Sequence, residues 1–311
     1  MREYYSIGYR AACSGGVVSV GGPGGRGELD DRFIVLAGKF RLHTSVLGCA
    51  AGRGGLVSYR RFSGVARFEW EGGFAARLVE AQLGALEGGL AYAREFVSAS
   101  RDNKLWLLGV LEGEGYDVGE EREFIGEVDL EEPGDLDQLR AYEAAIHRAY
   151  YEALRKVIPG EYGFVERTRR PPRDPFSAAL SYGNMVLYGY VSSSLRAVGF
   201  DTRVGFLHVP FRDRESLVYD VAEEFRQPVV DAVIVPLFTG GTLRRGHFVE
   251  RGGVYLSRRG RGLVAEALRK RMGARVGGAT LLDHLRRQCE SLAESLLGGG
   301  GYRGFRVSRY L

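Results

Sequence analysis

The 311 residues, 45% hydrophobic and 26% charged, carry enough apolar mass for one large core or two smaller ones, and they exclude a disordered polyelectrolyte. The formal net charge of +4 is too small to specify a partner, but its distribution is uneven. Between residues 109 and 143 thirteen acids stand against Arg122 and Arg140, whereas from 244 to 311 fifteen Lys or Arg stand against five acids. This segregation points to a polyanion-facing surface in the C-terminal part; the competing explanation is that these residues only solvate helices. Cys13, Cys49 and Cys289 lie far apart with no CxxC pair, which argues against a thiolate zinc centre or a disulfide framework and suits a reducing cytosol. The opening MREYYSIGYR lacks the apolar core of a signal peptide, so a cytoplasmic location is expected.

Short apolar or alternating runs at 17–20, 33–36, 56–59 and 65–70, separated by glycine clusters at 21–27 and 52–55, predict an antiparallel β domain over residues 1–73. Glu71, Gly72 and Gly73 read as its linker. From Phe74 the apolar period becomes helical, and 74–311 is expected to be a larger, mostly α-helical domain, giving an α+β chain. The acidic, glycine-punctuated stretch 113–137 reads as a solvated connection. Residues 137–158 predict a strong amphipathic helix with Leu139, Tyr142, Ile146, Ala149, Ala153 and Val157 as its buried stripe, stopped by Pro159 and Gly160. A basic loop, 167–173, leads to Asp174-Pro175 and an uncharged run, 176–195. Its serines and Asn184 make that run too polar for a membrane span, so a buried core helix ending at Gly199 is expected. Apolar 204–209, a helix over 216–225, an apolar run at 229–238 and helices at 258–272 and 279–297 complete the chain.

Chemistry gathers around His208 and the helix after it. Asp220, Glu223 and Glu224 are spaced to share one helical face, beside an apolar stripe. Alone, such a face is usually a solvated surface. His208, delivered by the apolar run a few residues earlier, changes that reading, since imidazole plus carboxylates without thiolate suit a hard divalent ion such as Mg²⁺ or Mn²⁺. A third donor must come from elsewhere, and Glu143, flanking the stripe of its helix, is the leading candidate. Glu143 and His147 stand at i, i+4 and fit either a local metal pair or ordinary helical ion pairing. The glycine-rich 21–27 lacks the Lys-Ser/Thr of a phosphate loop and reads as a hairpin turn.

Several blocks carry a resemblance to a known family. They are RRPPRDPFSAALSYG at 169–183, GFLH at 205–208, SLVYDVAEEFR at 216–226, Tyr142-Glu143-Ala144 with Ala149-Tyr150-Tyr151, VLAGKF at 35–40 with the segment up to Gly64, and GGVYL at 252–256. In order and spacing the chain resembles the CRISPR-associated integrase and endonuclease that inserts new spacers during adaptation. The resemblance implies a metal-dependent enzyme in which a DNA 3′-hydroxyl attacks a phosphodiester at the CRISPR repeat boundary. It places Glu143, His208 and Glu223 on the metal-ligand positions and Asp220 on a nearby acidic position important for activity. It further implies Mg²⁺ or Mn²⁺ as cofactor, double-stranded prespacer and repeat DNA as substrates, a homodimer, a small ferredoxin-like adaptation partner and a prokaryotic cytoplasm. The family's glutamate is usually followed by glycine, where this chain has Ala144, and Ser177 replaces a common asparagine. Arg167, Arg169, Arg170, Arg173, Arg226, Arg244 and Arg245 are the expected phosphate contacts. Two other functions fit the same residues: a metal phosphohydrolase acting on nucleotides, which would need no free DNA 3′-end, and a non-catalytic DNA-binding scaffold whose acids only pair with arginines.

Overall fold

The computed structural model describes the backbone of residues 2–14, 17–22, 25–29, 33–42, 56–61, 64–68 and 74–310 except 132, with side chains from residue 76 onward. Among these residues the N-terminal strands are β1 (Arg2–Ser14), β2 (Val17–Gly22), β3 (Gly25–Leu29), β4 (Phe33–Leu42), β5 (Leu56–Arg61) and β6 (Gly64–Phe68), joined in the order β3-β2-β1-β4-β5-β6. The pairings β1–β2, β2–β3 and β5–β6 are antiparallel, but β1–β4 and β4–β5 run parallel, so the sheet is mixed where an antiparallel one was expected. Residue alternation is the same for both ladder types and does not reveal direction. Here the β2–β3 hairpin occupies one edge of β1, and β4 joins the other edge in the same sense as β1. A parallel neighbour needs a connection of about a dozen residues, which 43–55 supplies between β4 and β5. The glycine-rich 21–27 contributes to both arms of the β2–β3 hairpin, with Gly22 opposite Gly25. The linker expected at 71–73 and the glycines at 52–55 lie outside the described residues.

The chain divides into two compact units, Met1–Glu80 with Leu195–Phe200, and Ala81–Ser194 with Asp201–Leu311. The helices are α1 (Phe74–Gly84), α2 (Leu90–Gly113), α3 (Gly119–Glu127), α4 (Leu136–Val157), α5 (Pro175–Val198), α6 (Ser216–Glu223), α7 (Ala232–Thr239), α8 (Arg258–Met272) and α9 (Leu281–Leu296). A π-helical turn, Arg226–Asp231, joins α6 to α7, and a short hairpin, β7 (Phe248–Glu250) with β8 (Val254–Leu256), precedes α8. A two-stranded pairing, β9 (Arg275–Val276) with β10 (Ala279–Thr280), leads into α9. The acidic stretch expected to be a connection contains α3. Its apolar face is narrow, with Ile125 its one buried side chain, while Glu120 and Glu121 in the first turn complement the helix dipole. A helix with so thin a stripe leaves almost no periodic signal.

Within the second unit α2 is central and packs on α3, α4 and α6. Asp135 caps α4 by accepting from the Gln138 amide at 2.8 Å, and Arg155 and Lys156 occupy its last turn. Leu139, Ile146, Tyr150, Ala153, Leu154 and Val157 form its buried stripe. Of the residues expected there, Tyr142 and Ala149 lie at the margin. Asp174 caps α5 through the Ser177 amide at 2.7 Å, with Pro175 at the first helical position. Phe176, Leu180, Leu187 and Val191 make α5 a core helix, and no helix among the described residues is long and apolar enough to cross a membrane. A Cβ on Gly183 would meet Val230 at 2.7 Å, so glycine lets α5 lie against the π-helical turn.

The C-terminal segment is tied down by Glu224. This fully buried carboxyl accepts from the Phe305 amide at 2.7 Å and from the Tyr302 hydroxyl at 2.5 Å, while Asn103 donates to the carbonyls of Glu224 and Phe305. Burial pushes Glu224 up to about 8 despite those two donors. Its folded pKa exceeds the unfolded value of 4.5, so the stability it contributes is complete below pH 4.5 and is lost as pH rises toward about 8. Glu224→Gln removes that ionisation. Thermal unfolding from pH 5 to pH 9 will show wild-type stability falling relative to E224Q by up to about 4 kcal/mol, about 1.4 kcal/mol for each pH unit below the folded pKa; parallel pH curves for the two proteins would contradict the assignment.

Candidate metal centre

Asp220, Glu223 and Glu224, which sequence spacing puts on one face, go to three destinations. Asp220 is 0% exposed and turns to the 205–208 segment. Its Oδ2 accepts from the Phe206 and Leu207 amides at 2.6 and 3.1 Å, and its Oδ1 accepts from the His208 amide at 2.9 Å and from His208 Nδ1 at 2.7 Å. These apolar residues are therefore an extended turn whose amides a buried carboxylate satisfies in place of a sheet partner. The approach is close. A Cβ on Gly205 would fall 2.8 Å from Asp220 Oδ2 and 2.7 Å from the His208 carbonyl, so the GFLH glycine is a steric requirement. With Nδ1 donating to Asp220, Nε2 is the ring nitrogen of His208 left to face another partner. Both Asp220 oxygens are engaged in orienting the 205–208 segment and the His208 ring.

Glu223, 1% exposed, faces α4. Ligand atoms of Glu143, His147 and Glu223 all lie within 4.8 Å of one another. Two of the three expected donors are thus brought together with His147, whereas His208 stands outside this tightest cluster. His208 is still near enough to lower the pKa of both carboxyls. Burial, and then the like charge of Glu223, raise Glu143 above the ordinary carboxylate range. Burial would raise Glu223 as well, but Arg226 and other neighbouring positive charge overcome it and hold the carboxyl down at about 2. Burial, and then the Lys104 ammonium, keep His147 neutral, with a pKa of about 3.

Two buried cations offset this acidity. Arg226 bonds Glu223 Oε1 through Nη1 and donates through Nη2 to Tyr188 Oη at 2.9 Å. Lys104 donates to Ser100 Oγ at 2.5 Å, and Ser100 reaches Glu223 Oε2 at 3.3 Å. Burial pulls the Lys104 amine down to about 8 against the attraction of Glu223 and Glu143. Arg226, expected to grip DNA, is therefore turned inward, because the nearest strong acceptor is a carboxylate withdrawn from water. Lys104, Ser100 and Tyr188 were not singled out from the sequence. Their roles arise from packing between α2, α5 and α6, and no spacing within one helix signals them.

The remaining arginines divide. Arg169, Arg170 and Arg173 are exposed on a loop anchored by the Thr168 hydroxyl, which accepts from the Arg173 amide at 2.9 Å, and by the Pro172 carbonyl, which accepts from the Val254 amide at 2.8 Å. Arg169 is among the charges that lower the proton affinity of His147 on α4. Arg167 is half-buried and donates to Ser181 Oγ at 2.9 Å and to the Thr168 carbonyl. Arg244 and Arg245 are exposed; Arg244 donates to the Gly241 carbonyl at 3.0 Å and Arg245 to that of Glu161. Arg244 also lines a cavity of about 610 Å³ with His247 and Arg259.

Two carboxylates converging with a neutral imidazole, and a second imidazole fixed by a buried aspartate, fit a divalent cation, which would relieve the repulsion that raises Glu143. Asp220→Asn, which weakens the hold on His208, should lower Mn²⁺ affinity about 10–100-fold by calorimetric titration; unchanged affinity would show that the orientation of His208 does not matter to the ion.

Comparison with known proteins agrees with these features. Residues 31–270 match the family model described as CRISPR associated protein Cas1. A CRISPR-associated endonuclease Cas1 from Thermus thermophilus is 40% identical over 181 residues, 56% of this chain and 57% of that protein. Another from Methanospirillum hungatei is 31% identical over 224 residues, 70% of this chain and 68% of that protein. The match thus spans little more than half of the first relative and two thirds of the second. Among solved structures, a CAS1 protein from Thermotoga maritima has a TM-score of 0.75 at 22% identity, covering 98% of this chain and 99% of that one. A casposase bound to an integration product has a TM-score of 0.73 at 20% identity, covering 97% and 93%. The family match over most of the chain, together with the second relative, establishes that this chain belongs to the CRISPR-associated Cas1 family.

Proposed function

We propose that this chain is a divalent-metal-dependent DNA integrase and endonuclease that inserts new spacer DNA into a CRISPR array, the adaptation step of CRISPR immunity. The observation that carries the proposal is the convergence of Glu143 and Glu223 with the His147 imidazole, in a chain that also exposes a basic loop at Arg169, Arg170 and Arg173. Glu143, His208 and Glu223 would hold Mg²⁺ or Mn²⁺, with Asp220 fixing the ring of His208. Such an ion, when bound, supplies Lewis-acid stabilisation of charge on a phosphoryl oxygen.

The residues of the chain supply the rest. Arg226 locks Glu223 in one rotamer, so that carboxylate needs no rearrangement when substrate arrives. Lys104 and Arg226 already balance the two carboxylates, and a bound dication leaves the site net positive toward a phosphodiester. Arg169, Arg170 and Arg173, exposed on their loop, would grip the phosphate backbone and help hold the reacting group in line. The reaction forms one phosphodiester as it breaks another: the incoming 3′-oxygen bonds to phosphorus and the original 3′-oxygen leaves. No nucleotide energy source and no covalent enzyme intermediate are required.

Solved chains sharing this fold include one from a partial Cas6-RT-Cas1–Cas2 complex, with a TM-score of 0.78, and one from a TtCas1–DNA complex, with a TM-score of 0.56. Those neighbours support DNA and a second adaptation protein as partners; the family resemblance adds prespacer and repeat duplexes as the DNA, a second copy of this chain as homodimer, a ferredoxin-like form for the small partner, and a prokaryotic cytoplasm. The proposed division is a β domain over 1–73 and a helical catalytic domain over 74–311. The test is strand transfer of a 3′-OH duplex into a CRISPR array with Mn²⁺ or Mg²⁺ and the partner protein. E143Q, H208A and E223Q should each lose about 10²-fold or more of the transfer rate while DNA affinity stays within about threefold. Transfer that survives the loss of His208, or turnover of mononucleotides in place of DNA ends, would overturn the proposal.

A further inference from the structure

Sequence spacing leaves His147 between two roles, a local metal donor or half of an ordinary helical ion pair. The geometry separates them. In an ion pair a ring nitrogen sits on a carboxylate oxygen at hydrogen-bond distance. Here Nδ1 is 3.0 Å from the Glu143 main-chain carbonyl, while Glu143 Oε1 stands 3.8 Å from Nδ1 and Glu223 Oε2 stands 3.9 Å from Nε2. Neither carboxylate contact is a hydrogen bond. The carbonyl one turn back fixes the ring so that Nε2 is the nitrogen facing Glu223. Donors about 2.1 Å from a first-row ion lie about 3 to 4.2 Å apart. The Nε2–Oε2 distance falls in that range, and the 4.8 Å limit of the whole cluster exceeds it by well under 1 Å.

We propose that His147 is a protein donor to the ion alongside Glu143, Glu223 and His208, so that the centre has two carboxylates and two imidazoles. This rests on the proposal that the site binds a divalent cation. Two imidazoles bias the centre toward transition ions over Mg²⁺, which is bound mainly by oxygen and keeps its waters. The ring lies at the margin of α4's buried stripe, where alanine, a strong helix former, costs little local structure.

The test uses Mn²⁺ alone on the full chain and on H147A, H147Q and H208A, with electron spin-echo envelope modulation to count coordinated imidazole nitrogens and calorimetry for affinity. The expected result is two nitrogens in wild type and one in each His147 variant and in H208A. Mn²⁺ affinity should fall about 10–100-fold in H147A, and Mg²⁺ affinity less than about threefold. A nitrogen signal unchanged by H147A, whether from one nitrogen or two, overturns the role of His147 while the metal site stands. Wild-type protein that binds no Mn²⁺ overturns the metal site and this inference together, so the two failures are distinguishable.

Discussion

Glu143 and Glu223 are held close together where water is scarce, and their mutual repulsion organises much of what surrounds them. Burial, and then the like charge of Glu223, raise the proton affinity of Glu143. The fold answers with Arg226 against one oxygen of Glu223, Lys104 relayed through Ser100 to the other, and the His147 imidazole nearby. Each neighbour is itself buried and would be costly alone, since an unpaired interior charge is expensive. The carboxylates make the cations tolerable and the cations make the carboxylates tolerable. The arrangement is balanced without an ion and is ready to accept one.

The scaffold supports that balance from a distance. Asp220 occupies four donors around the 205–208 segment, so a segment with no strand partner becomes rigid and His208 is presented with one nitrogen committed. Glu224, one residue beyond Glu223, points the other way and fastens the 302–305 segment. The π-helical turn after α6 carries Asp231, which accepts from Tyr150 of α4 at 2.8 Å and joins the two helices that bear the site. An irregular turn at this point is typical of functional helices.

Much of this was legible in the sequence. Helices α4, α5, α8 and α9 announce themselves by periodicity, caps and stops, and the blocks around Glu143, His208 and Glu223 carry the family resemblance. Helical spacing, however, states only which residues share a face. It could not tell that Asp220, Glu223 and Glu224 would part, because their destinations depend on a loop before the helix and a segment some eighty residues after it. Arg226 read as a DNA contact because it follows an acidic helix, and its inward turn depends on Tyr188 from α5. Helix α3 was hidden by its narrow apolar face, and the parallel strands by an alternation that both ladder types share.

The most direct measurement is anomalous diffraction from crystals soaked in Mn²⁺. One strong peak is expected between the carboxylates of Glu143 and Glu223, within bonding distance of both and of an imidazole nitrogen. Peaks confined to exposed acids such as those of α3, with Glu143 and Glu223 still held only by Arg226 and Lys104, would contradict it.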